Sequence, residues 1–220
     1  MESIRSLLGK TIELKISGYK IPIIGELIDV GSDILVLYSE NKYIYTPVHH
    51  LQHMKVMEEA EDSSQANKEP VLDHAHISFR KMLMNARGIF TEIHLGGASS
   101  IHGYVTSIMN DYFLFYSPVH HTIYIPLHHV KYLSPYPPNM TPYDLSDSHF
   151  PVQPGTPALS RNLEQQLEKF QNGLVVFDLG ESPLKAGLLK KVDSHIIELI
   201  EAGGQTVLLH TDHIKSIHLP

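Results

Sequence analysis

At 220 residues, 42% of them hydrophobic, the chain is long enough to build a sizeable core. Its net charge of −7 argues against a partner held through nucleic-acid phosphates. The absence of cysteine excludes a disulfide framework and any thiolate metal site.

Residues 1–8 lack the apolar core of a signal peptide, and no later run approaches the length of a membrane span. Both features predict a protein kept inside the cell that makes it, with no membrane partner. Residues 3–8 can form one helical turn ending near Gly9. In the strand that follows, Ile12, Leu14 and Ile16 alternate with Glu13 and Lys15, the period of a half-buried strand. The same order of strand, glycine, strand and histidine-ended strand then occurs three times. Gly25, Gly103 and Gly187 are each followed nine positions later by an apolar strand, and each copy closes on a histidine, His50, His129 or His213. These six residues are the anchors of the repeat.

The spacing predicts three modules, at residues 1–57, 73–133 and 158–220, joined by an acidic linker over 58–72 and a proline-rich one over 134–157. Residues 76–87 read as a short helix capped by Asp73 and stopped by Gly88, and residues 159–170 as the clearest helix, with Leu163, Leu167 and Phe170 on one face. Strands are expected at 90–95, 103–108, 112–117 and 122–126, and again at 174–179, 187–192, 195–201 and 206–210. Seven prolines between 135 and 157 argue against regular structure there, and Tyr136, Tyr143 and Phe150 are candidates to pin that stretch down. A module of about 50 residues buries little apolar surface on its own, so the modules are expected to share interfaces.

One short helix, five bent strands and a glycine opening the second strand resemble the Sm-like fold. The words Leu8-Gly9-Lys10-Thr11-Ile12-Glu13-Leu14 and Gly25-Glu26-Leu27-Ile28-Asp29 are similar to that family's first motif. The resemblance implies a mainly β protein of three tandem small bent barrels, each preceded by a short α-helix, that associate through their edge strands at 43–46, 122–126 and 206–210. The family's RNA pocket uses an Asn and an Arg-Gly or Lys-Gly pair. Here those loops read Asp29-Val30-Gly31-Ser32-Asp33 and Pro47-Val48-His49-His50, so nucleic-acid binding is not the first expectation.

The triple arrangement, closing on His213-Ile214-Lys215-Ser216-Ile217, with relaxed versions at His129-Val130-Lys131-Tyr132-Leu133 and His50-Leu51-Gln52-His53-Met54, resembles the spore coat protein B family of spore-forming bacilli. The long Ser/Lys-rich tail of that family does not follow Pro220 in this sequence. The resemblance implies a structural component of the spore coat, synthesised in the mother-cell cytoplasm. Its expected partners are other coat proteins or a second copy of itself. An RNA-binding Sm-like protein and a histidine-rich metal binder are the alternatives.

The metal alternative rests on His49, His50, His120, His121, His128 and His129, since neutral imidazoles suit zinc, copper or nickel. Adjacent residues on a strand point to opposite faces, so no single pair is expected to chelate one ion, and no metal is assigned. No nucleophile elbow, phosphate-cradling loop or His-Glu-x-x-His occurs, which predicts a protein that is not an enzyme and uses no cofactor.

Overall fold

A computed structural model describes residues 2–57, 77–97, 100–138, 140, 142–144 and 158–220. The acidic stretch 58–72, Asp73 and Phe150 lie outside the described residues, as does most of 134–157. The protein is mainly β. Among the described residues three short helices, α1 (Glu2–Arg5), α2 (Phe79–Asn85) and α3 (Leu163–Glu168), punctuate fifteen strands. The first ten strands are β1 (Thr11–Ile16), β2 (Ile23–Val30), β3 (Ile34–Ser39), β4 (Lys42–Pro47), β5 (Leu51–Val56), β6 (Phe90–His94), β7 (Ser100–Ile108), β8 (Tyr112–Ser117), β9 (His121–Pro126) and β10 (Tyr132–Pro135). After α3 come β11 (Leu174–Phe177), β12 (Ala186–Asp193), β13 (Ile196–Ile200), β14 (Thr206–His210) and β15 (Ile217–His218). Among the described residues no helix is long and apolar enough to cross a membrane.

The chain divides into two compact units, the first made of Met1–Tyr104 and Val130–Pro142, the second of Val105–His129 and Tyr143–Pro220. In the first unit the antiparallel strand order is β5-β1-β2-β3-β4-β10-β6, with the first half of β7 beside β6. Its core gathers Ile12, Leu14, Ile16, Leu27, Leu35 and Leu37, the inward residues of alternating strands. In the second unit the order is β14-β13-β12-β11-β15-β9-β8. There Leu189, Ile197 and Leu199 pack with Phe177, Tyr112 and the Leu163 and Leu167 side chains of α3.

Gly25, Gly103 and Gly187 occupy matching places. Gly25 lies opposite Ile12, Gly103 opposite Thr91 and Gly187 opposite Val175, each on the second strand of a hairpin. A β-bulge follows at the same offset in the first and third cases, between Leu27 and Asp29 and between Leu189 and Lys191. The reason for glycine is a close backbone approach at that bend. A Cβ at Gly25 would stand 2.5 Å from the Tyr38 carbonyl oxygen, and one at Gly187 would stand 2.2 Å from that of Ile200.

Two helix expectations are corrected in their bounds. α2 begins at Phe79 rather than near residue 76, because Ser78 is its N-cap and accepts from the Lys81 N–H, while Asp33 Oδ1 accepts from the Phe79 N–H at 2.8 Å. α3 is six residues long, not twelve, since Asp111 Oδ1 takes the Leu163 N–H at 2.9 Å and the chain leaves helical geometry before Asn172, whose φ is +65°. The proline-rich stretch also opens on a strand: β10 includes Pro135, and the N–H of Tyr136 donates to the Phe90 carbonyl at 2.9 Å. Tyr136 is pinned as the sequence suggested, its hydroxyl 2.9 Å from His102 Nδ1 and its ring against Phe90, whereas Tyr143 is half exposed.

Candidate functional site: histidine turns and open strand edges

The strands β4, β9 and β14, the fourth strands of the three predicted modules, each lead into a short 3-10 turn, at Val48–His50, Leu127–His129 and Thr211–His213. Each turn is anchored the same way. The N–H of its first residue donates over 2.8 Å to the carbonyl of Asp33, Asp111 or His195, the residue just before the third strand. The histidines of two pairs therefore do not lie on strands, and the expectation that they face opposite sides is overturned. In a 3-10 turn the rings lie side by side, His49 against His50 with centroids 4.0 Å apart and His128 against His129 at 4.1 Å.

His50 is buried. Its Nδ1 is 3.1 Å from the Ser17 hydroxyl and 3.1 Å from Lys131 Nζ, so the lysine ammonium donates to a neutral imidazole. Among the described residues no group of three or more His, Cys, Asp or Glu side chains is placed to hold a metal ion, and His49, His50, His120, His121, His128 and His129 are not gathered into one. His120 and His121 sit at the entrance to β9, where His121 adopts a φ of +56°.

His120 instead meets His218 of β15 at 6.0 Å between ring centroids. Burial pushes both imidazoles below their ordinary value, helped by His121 for His120 and by His120 for His218. A base held low in the folded state loses stability as pH falls below its unfolded value of about 6.5, because the unfolded chain takes the proton more readily. The melting temperature should therefore drop between pH 7 and pH 5, and His218→Gln should flatten that slope. An unchanged slope in the variant would remove this pair as its cause.

Other polar positions were hidden from sequence reasoning. Glu92 on β6 is held by the Ser100 hydroxyl at 2.7 Å, the Tyr132 hydroxyl at 2.8 Å and Lys42 Nζ at 3.0 Å. Burial raises its carboxyl, but these three bonds and the Lys42 charge outweigh that and leave it below the usual carboxylate range. Asp178 accepts from the Lys215 N–H at 2.6 Å and the Ser216 N–H at 3.2 Å, and pairs with Lys185 Nζ at 2.8 Å. Its only sequence signal is an acid at the end of a short apolar strand.

The fourth strands differ in what covers them. β4 pairs with β10, Tyr45 opposite Leu133, and β9 pairs with β15, Tyr124 opposite Ile217 and Ile123 opposite His218. These are two of the edge segments the sequence singled out. Among the described residues β14, the third, pairs only with β13, and at the end of the first unit's strand order β5 pairs only with β1. Tyr45 and Tyr124 are buried, while Leu208 of β14 is 67% exposed.

Hydrogen bonds flanking these ladders set their parity. The Glu201 N–H donates to Gln205 and the Thr211 N–H to His195, so residues 205, 207, 209 and 211 turn their backbone groups toward β13. The N–H and C=O of Leu208 therefore point to the open side. On β5 the Met57 N–H donates to Thr11, which by the same alternation turns Met54 and Val56 outward. What this arrangement offers chemically is a ladder of backbone donors and acceptors at each edge, with apolar side chains between them.

The chain is 40% identical over 226 residues to the uncharacterized protein YwrJ of Bacillus subtilis (strain 168), a match that covers all of both chains. It belongs to the YwrJ family. The family model for the YwrJ third domain matches residues 162–217, the segment from α3 through β15.

Proposed function

We propose that this YwrJ-family chain is a structural, non-enzymatic protein of the bacterial spore coat, built as three tandem Sm-like barrels and acting by protein–protein assembly through its open strand edges. The observation that carries the reading is the contrast between β4, covered by β10, and β9, covered by β15, on one side and β14 on the other, which has the same position in the repeat and no covering strand among the described residues. The five-strand order β5-β1-β2-β3-β4 recurs as β15-β11-β12-β13-β14, with the same glycine, the same bulge and the same closing turn. The matched family model is that of a third domain, which agrees with a threefold division. The coat location is supported by the resemblance of the closing motifs and by a full-length relative in a Bacillus.

The test is cellular. A fluorescent fusion expressed from its own promoter should light up during sporulation as a shell around the forespore and be recovered with purified spores. Leu208→Lys, which places a charge on the open edge without touching the core, should fold normally and leave the shell. Diffuse signal from the unaltered chain, or a shell indifferent to the edge substitution, would overturn the reading.

A further inference from the structure

We propose that the chain assembles head to tail with copies of itself, β14 of one copy pairing antiparallel with β5 of the next so that Leu208 stands opposite Met54. The inference rests on the reading that the open strand edges are the working surfaces. It adds the occupant and the register.

The closing histidines set the register. Counting five positions before His50, His129 and His213 arrives at Tyr45, Tyr124 and Leu208; counting four after them arrives at Met54, Leu133 and Ile217. Within the chain Tyr45 lies opposite Leu133, and Tyr124 opposite Ile217. Among the described residues, the two members of these sets that have no such partner are Leu208 and Met54. Each has its backbone N–H and C=O on the open side of its strand, which the pairing requires. The ends of the strand set are thus complementary to each other and not to themselves, and the chain carries two worked examples of how they fit.

The helices differ in how deeply they are buried. α2 packs on β4 and buries Phe79, Met82 and Leu83. α3 buries Leu163, Gln166 and Leu167, its neighbour Phe170 meets the Tyr124 ring at 5.1 Å, and Gln166 meets the Tyr112 hydroxyl at 3.3 Å. α1 buries none of its residues, and Leu8 just after it is 44% exposed. α1 nevertheless rests on its own unit, with Ile4 and Leu7 against the first core and Arg5 Nη2 donating to the Val30 carbonyl at 3.0 Å. One detail differs from the two in-chain junctions: His195 stands where Asp33 and Asp111 accept the first helical N–H.

The chain has no cysteine, so introduced thiols report a single contact. Met54→Cys and Leu208→Cys chains, carrying different tags, are mixed and oxidised with the full-length protein otherwise intact. A hydrogen-bonded antiparallel pair sets Cα atoms about 5.5 Å apart, within disulfide range. A mixed disulfide dimer should form readily, and Met54→Cys with Leu209→Cys, one residue out of register and on the opposite face, should give little. Sedimentation of the unaltered chain should show concentration-dependent growth that Leu208→Lys abolishes. Equal yields from both pairs, no mixed disulfide, or a double variant that closes on itself would overturn the proposal. If self-pairing fails while Leu208→Lys still removes the chain from the spore shell, the open edge serves a different protein and the functional reading stands. If the shell is indifferent to that substitution, the functional reading itself falls.

Discussion

Asp178→Ala is expected to destabilise the second unit by about 3–5 kcal/mol, the range for stripping one partner from a buried, hydrogen-bonded charge pair. The carboxylate lies under the start of β15, holding two consecutive backbone N–H groups, of Lys215 and Ser216, and the Lys185 ammonium. Asp178 is 4% exposed. Alanine would take away the acceptor that both N–H groups and the Lys185 ammonium share. β15 is only two residues long and is the strand that joins β11 to β9, so loosening its approach should cost both ladders. Asp178→Asn keeps an oxygen for the two N–H groups and should lose distinctly less. Urea unfolding of the three proteins decides the matter: a common midpoint would show that the clasp contributes nothing measurable.

Gly187→Ala should be nearly as damaging, because the new methyl meets backbone and not a side chain that can swing away. The added Cβ would lie 2.2 Å from the Ile200 oxygen and 2.9 Å from its carbonyl carbon. Relief requires β12 and β13 to part beside the Leu188–Ile200 pairing, a strain typically worth about 1–3 kcal/mol and more where the backbone cannot give. Gly25→Ala, with 2.5 Å to the Tyr38 oxygen, should lose stability for the same reason in the first unit. Thermal unfolding within a degree of the parent for both variants would mean that these glycines are not there for close approach.

Much of the fold was legible because period-two alternation and turn residues act locally. β8 and β14 occupy the bounds expected for them, with Asn110-Asp111 before the first and the Gly203-Gly204 turn before the second. The helix starts were not legible, since the groups that fix them, Asp33 for α2 and Asp111 for α3, lie 46 and 52 residues away. Pro135 pointed away from a strand, yet it sits at a β10 position whose backbone does not bond to β6. The Tyr136 N–H is the one that does, so the missing N–H of the proline costs that ladder nothing. The histidine pairs were misjudged because a single 3-10 turn leaves no periodic mark in sequence. The open edges were legible as candidates, but which of them stays uncovered depends on pairings between residues about 90 apart.

That separation has a consequence in time. Tyr45 leaves the ribosome 88 residues before Leu133, and Tyr124 leaves 93 residues before Ile217. At roughly 5–20 residues per second of synthesis, each fourth strand waits on the order of 5–20 seconds beside a finished hairpin with its outer backbone groups unpaired. During that interval β5, which is already made, and the corresponding strands of neighbouring nascent chains compete for the same edge as the intended β10. Polysomes crowd such chains together, so codon-level pauses placed between β4 and β10, or between β9 and β15, should raise the fraction of intermolecularly mispaired product, and pauses placed before β4 should not.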